Sequence, residues 1–271
     1  HPDSLGASDA ISQGPILDLY DPGRKSTLQQ VDGRQSFTRT WDEFEGWLAR
    51  RRRELIANQG QGLGVLADRT SSLSLLAALR QIQDRFPQSR LYFDDSSGGN
   101  EKQGVELAFG RPLEARLDVS RARVILTLDC DLLQESLDAI RLTREYAENR
   151  DPDGEWMNRL YAVESSVSIT GAAADHRLPL RSSDIARVVA ILERQLRASA
   201  ESTALVADVK QSLSHLPETK LARVSRFLEA VVDDLRKHSE RSLIVVGANQ
   251  PAAVHARVHR LNHELGNVGQ T

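Results

Sequence analysis

Asp129 and Asp131 flank the single cysteine, Cys130, directly after the apolar run Val124-Ile125-Leu126-Thr127-Leu128. Two carboxylates at a strand end are the residue types of acid–base catalysis or of a Mg²⁺ site, and equally those that cap a following helix or bond a neighbouring loop. Ser165, Asp175 and His176 supply the residue types of a hydrolase triad. No nucleophile-elbow sequence surrounds the serine, however, and an adjacent Asp and His converge awkwardly on one hydroxyl. His255, His259 and His263 recur every four residues in one helical segment, so neighbours in the series could share a metal ion. No carboxylate completes the set except Glu264, which points elsewhere, so packing or surface histidines are expected and no metal is assigned. Gly247 and Asn249 follow a strand and precede a helix, where free backbone amides can hold an anion; a plain strand-to-helix turn is the competing reading. Gly60, Gly62 and Gly64 precede a strand, whereas a dinucleotide loop follows one, and no Walker loop is present.

The elements that must position these residues alternate between strand and helix. Strands are expected at Leu63–Ala67, Leu91–Phe93, Val124–Leu128, Tyr161–Glu164 and Leu243–Val246, each a short apolar run. Helical patterns begin at Trp41 and run over Ser72–Phe86, Leu133–Asn149, Ile185–Ala198 behind an N-cap at Ser183-Asp184, Pro217–His238 and from Pro251 onward. Residues 1–40 are rich in Gly, Asp and Ser and read as an extended arm, with one α/β domain over 41–271. Such alternation specifies an α/β fold with a doubly wound, mainly parallel sheet flanked by helices. Sites in such sheets lie beyond the carboxyl ends of the strands, at Asp68, Asp94, Asp129–Asp131, Glu164–Ser166 and Gly247–Gln250.

One cysteine among 271 residues excludes an internal disulfide, and it excludes an iron–sulfur or zinc site built mainly from this chain's thiolates. A net charge of −3 gives no global field for nucleic acid or an anionic membrane. Arg50–Arg53 are read as the solvated face of a helix whose apolar stripe is Phe44, Trp47, Leu48 and Leu55. No run approaches the roughly 20 apolar residues of a membrane span. The chain opens on His1-Pro2 without a signal sequence and is read as a fragment of a longer protein.

Four stretches, in order, resemble the large subunit of molybdopterin oxidoreductases. Leu19-Tyr20-Asp21-Pro22-Gly23-Arg24 is similar to the family's tyrosine-proline-arginine segment, and Phe37-Thr38-Arg39-Thr40-Trp41-Asp42-Glu43 to its entry into a Trp-Asp-Glu helix. Between Val163 and Asp184, the residues Thr170, Ala174-Asp175, Leu178, Leu180-Arg181 and Asp184 fall much as the family places its own. Gly247-Ala248-Asn249-Gln250, followed by a helix and Leu265-Gly266-Asn267-Val268-Gly269, resembles its glycine-glutamine turn and closing Gly-Asn-x-Gly.

The departures matter as much. No cysteine and no lysine stands between Ser8 and Asp18, where cluster-bearing members carry both. Glu164-Ser165-Ser166 replaces an Asp-Pro-Arg turn, and Arg181-Ser182-Ser183-Asp184 shortens an Arg-Pro-Gly-Thr-Asp turn, removing backbone shapes that admit a pyrophosphate. This combination is similar to the branch found in bacterial alternative complex III, especially over Ala174–Arg181. That resemblance implies the fold without the cofactor, a scaffold role in a quinol-oxidising complex among partner subunits, and iron–sulfur clusters only in a downstream region. It also implies a place on the periplasmic side of the inner membrane. No catalytic residue is expected, and Asp129, Asp131, Ser165, Ser182, Gly247 and Asn249 would line a vestigial cleft. The alternatives are a fragment of a working molybdopterin enzyme, or a small-molecule module using the cleft near Asp129 and Gly247.

Overall fold

The computed structural model describes residues 6–8, 13–68, 70, 72–94, 99–136, 138–197 and 202–271. Ala198 and the first five residues of the expected arm lie outside the described residues. The chain divides into two compact units, one over residues 8–96 and the other containing the described chain from residue 99 onward.

In the first unit, the arm contains a 3-10 helix at Gly14–Tyr20 and an antiparallel hairpin of β1 (Leu28–Asp32) and β2 (Gln35–Arg39). Gly33, at φ 58°, turns the hairpin. Helix α1 (Trp41–Ala57) starts at a capping box in which Thr40 and Glu43 bond each other's backbone. No residue of α1 is buried: of the stripe expected to face a core, Phe44, Trp47 and Leu48 are exposed and Leu55 is half-buried, and Trp41 beside them is 67% accessible. Strand β3 (Gly64–Asp68) pairs in parallel with β4 (Arg90–Asp94), joined by α2 (Leu73–Arg85). Gly60, at φ 84°, abuts Phe86, which accounts for one of the three glycines as a turn element.

The second unit begins with α3 (Asn100–Phe109) and is built on β5 (Val124–Leu128), β6 (Arg159–Glu164), β7 (His176–Pro179) and β8 (Ser242–Val246). These form a parallel sheet in the order β7-β6-β5-β8. All five residues of β5 are buried, the signature of a central parallel strand covered on both faces. Leu142 and Tyr146 of α4 (Ala139–Glu148) cover one face, with Ile125, Leu160 and Leu243 beneath them. Leu126, Tyr161 and Ile244 face the other side, against α6 (Ile185–Arg197), α7 (Ser202–Ser212), α8 (Glu218–Lys237) and α9 (Ala252–Glu264). Between β6 and β7 lies only the short α5 (Ile169–Ala173). The expected α/β architecture is therefore present, with α4 beginning later than the predicted helix because residues 132–135 form a turn first.

β8 is an edge strand, yet its outer backbone groups are not left open. Asn262 of α9 accepts from the Ile244 N–H at 3.0 Å and donates to the Ile244 carbonyl at 2.8 Å. The Oδ1 of Asn267 accepts from the Ser242 N–H at 3.3 Å, and Thr271 donates to the Ser242 carbonyl at 2.8 Å. Side chains thus act as the next strand.

Candidate functional site

The winding leaves β5 toward β6 on one side, while β8 lies on the other, so the crevice of this sheet opens beyond the carboxyl ends of β5 and β8. Asp129 takes the left-handed conformation there, at φ 52°, a region Asp tolerates better than most residues. Its N–H still follows the ladder, donating to the Val163 carbonyl at 2.7 Å.

The Asp129 carboxylate collects one residue from each other strand end. Ser165, after β6, donates to Oδ1 at 3.3 Å. Ser182, after β7, donates to Oδ2 at 2.5 Å, and Gln250, after β8, does so at 3.0 Å. Gln250 also donates to the Ser182 hydroxyl at 2.8 Å, closing the network. Gly247 is required beneath it, because a β-carbon would stand 1.8 Å from the Asp129 carbonyl oxygen. The Gly247 N–H is used by the Leu128 carbonyl at 3.0 Å, so the strand-to-helix turn is a plain one. Asn249 is exposed and takes no part in the network. Four of the six cleft candidates, Asp129, Ser165, Ser182 and Gly247, are thus brought together; Gln250 joins them through its amide.

Asp131 does different work: it accepts from the Thr170 N–H at 3.0 Å and hydroxyl at 2.7 Å, fixing the start of α5. Glu164 is buried and accepts from Arg177 at 2.5 Å and from Ser168 at 2.6 Å. Gly171 lies so close that a β-carbon would fall 1.8 Å from the Glu164 carboxylate. Desolvation, and then the charges of Glu135 and Asp131, push the half-buried Cys130 thiol up to about 12, which holds it protonated at neutral pH.

The residue types of a triad do not meet. Asp175 pairs with Arg150 at 2.8 Å and accepts from the Leu160 N–H, while His176 stacks on Tyr161. Of the three helical histidines, His255 is buried, His259 packs against the Phe109 ring and His263 is exposed. No group of three His, Cys, Asp or Glu side chains among the described residues could hold a metal ion. Asp68 and Asp94 end the two strands of the first unit's sheet. Arg50–Arg53 are exposed, with Arg51 bound to Glu54 at 2.8 Å. No helix among the described residues is long and apolar enough to cross a membrane.

The crevice holds the Asp129 carboxylate at its centre. Its central carboxylate is satisfied by hydroxyls and an amide, it forms no ion pair among the described residues, and the Gly247 and Asp129 backbones are in contact.

No protein-family model matches the sequence, and no curated protein matches it. Among solved structures, the chain is similar to acetylene hydratase from Pelobacter acetylenicus, with a TM-score of 0.46 and 14% identity over 88% of this chain. It is also similar to the formyltransferase/hydrolase complex from Methylorubrum extorquens in complex with methylofuran, with a TM-score of 0.48 and 16% identity over 89% of this chain. It spans 35% and 58% of those two chains.

Proposed function

We propose that this chain is a cofactor-free domain of the molybdopterin-oxidoreductase type, acting as a scaffold within a respiratory quinol-oxidising complex on the periplasmic side of the inner membrane. The observation that carries the reading is the closed crevice: side chains from all four strand ends bond one another where relatives of the resembled family hold a cofactor. The four sequence stretches and their departures, which resemble that family and its branch in such a complex, support the reading. The exposed aromatic face of α1, where Trp41, Phe44 and Trp47 pack ring to ring in solvent, supports a role in which protein neighbours are the ligands.

The test uses the full-length protein from its native membranes, purified in mild detergent. Molybdenum, tungsten and pterin are expected to be absent from the subunit, with quinol-oxidising activity co-purifying with it. Near-stoichiometric metal with a pterin chromophore returns the chain to the enzymes. Loss of the subunit without loss of the activity or of the complex removes the scaffold role.

A further inference from the structure

A cavity of about 340 Å³ lies at the β8 edge of the second unit, between α3, α9 and residues 113–117. That size is at the lower end of small-molecule sites, which run from roughly 300 to 1,000 Å³. Its walls are largely apolar, with Val105, Phe109, Leu142 and Leu243 among them. Set into this wall is His255, only 3% exposed, whose Nε2 has no hydrogen-bond partner. The backbones of Gly247 and Gln250 lie against the ring and favour its protonated form. With the hydrogen assigned to Nδ1, Nε2 is left as an acceptor without a donor. Glu101 of α3 also lines the cavity, close enough that its charge acts on both His255 and His259. Among the described residues it forms no salt bridge. The wall also carries Asp138, paired with Arg141 at 2.7 Å, and the exposed Glu114 and Arg116.

We propose that this cavity is a binding site for a small apolar molecule carrying a protonated amine, its N–H groups donating to His255 Nε2 and to the Glu101 carboxylate. A buried acceptor without a donor is costly and marks where a ligand's donor goes. An anion would meet that lone pair and Glu101 together, and a wholly apolar molecule would leave the acceptor unpaired. The site is separate from the Asp129 crevice, and the proposal stands whether or not the scaffold reading does.

The probes are phenethylamine, phenethyl alcohol and phenylacetate, which share a skeleton and differ in the head group. The whole 271-residue chain is titrated with each, and the imidazole ¹⁵N resonances are followed. Phenethylamine is expected to shift His255 Nε2 saturably, and to bind about tenfold or more tightly than either other probe, the worth of a charge-assisted bond. Glu101→Gln, a change on the exposed side of α3, is expected to remove that preference without changing the fold. The proposal is overturned if no probe shifts His255 saturably, if water alone is found at Nε2 in the presence of the amine, if the alcohol or the acid binds as tightly, or if Glu101→Gln leaves the preference intact.

Discussion

Gly247→Ala separates a steric requirement from a conformational one. The new methyl group would stand 1.8 Å from the Asp129 carbonyl oxygen and 2.8 Å from its carbon, both backbone atoms. To reach ordinary contact, the two strand ends must part by well over an ångström, in a region where β5 and β8 are joined by the Gly247-to-Leu128 hydrogen bond. Overpacking of this kind costs about 1–3 kcal/mol, against which the lost freedom of the unfolded chain returns about 0.4–1 kcal/mol. A net loss of about 1–2 kcal/mol is expected, or roughly 2–8 °C in Tm for a chain of this size. Gly269→Ala is the control: its φ of 83° is strained for alanine, but nothing lies within 4 Å. Urea denaturation gives the free energies, and shifts at Ser165, Ser182 and Gln250 report whether the network opens. An unchanged or raised midpoint for Gly247→Ala, with those resonances undisturbed, would refute the argument that the two turns are in contact.

Three further outcomes are expected. Asn262→Ala leaves the Ile244 N–H and carbonyl without their partner and should cost about 2–4 kcal/mol in urea denaturation; a loss below about 0.5 kcal/mol would show that solvent replaces it. Burial lowers the pKa of both His255 and His259 from 6.5, so the unfolded chain takes up protons first and stability should decline as pH falls below about 6.5. Burial opposes ionisation of Asp234, but the Tyr161 hydroxyl and the Arg159 guanidinium hold its pKa below 3.8, so its contribution is present above that value and is lost only at lower pH. A Tm profile against pH that keeps its upper phase in a His255→Asn, His259→Asn double variant contradicts this assignment. Gly104→Ala would place a methyl 2.2 Å from the His255 β-carbon and 2.9 Å from the Ala252 carbonyl; hydrogen exchange should show α3 detaching from α9, and unchanged protection of α3 would count against that packing.

The inner strands of the main sheet were legible because burial on both faces writes itself into sequence: β5 was marked by five apolar-run residues, and the structure begins and ends it at the same positions, whereas β7 was not expected as a strand. Helix α3 was not legible, since Gly104 in its middle reads as a breaker. Only the crossing against His255 and Ala252 explains a residue with no side chain there. The hairpin around Asp32-Gly33 was absorbed into an extended arm, although Asp-Gly is a turn signal, because its strands carry little alternation. At the crevice, the strand-end rule located Asp129, Ser165 and Gly247, whereas the pairing of Ser182 and Gln250 depends on a strand order that local sequence does not encode. Asp175 and His176 drew attention as a pair of residue types, yet Asp175, just before β7, turns to Arg150 and the Leu160 N–H, while His176, the first residue of β7, stacks on Tyr161. The cavity wall escaped for the reason α3 did.

The side chains that stand in for a ninth strand along β8 tie two events together. An edge strand ordinarily frays alone, its outward amides exchanging with solvent while the rest of the domain stays closed. Here the protection of Ile244 belongs to Asn262, which belongs to α9, and that of Ser242 belongs to Asn267 and Thr271. The edge cannot breathe unless the C-terminal helix lifts, and when it lifts the whole row of donors and acceptors is bared at once beside the apolar residues Val254, Val258 and Leu261. The first partly open form of this unit is therefore also its stickiest one, an unpaired strand next to an uncovered core, ready to pair with the same strand of a second molecule.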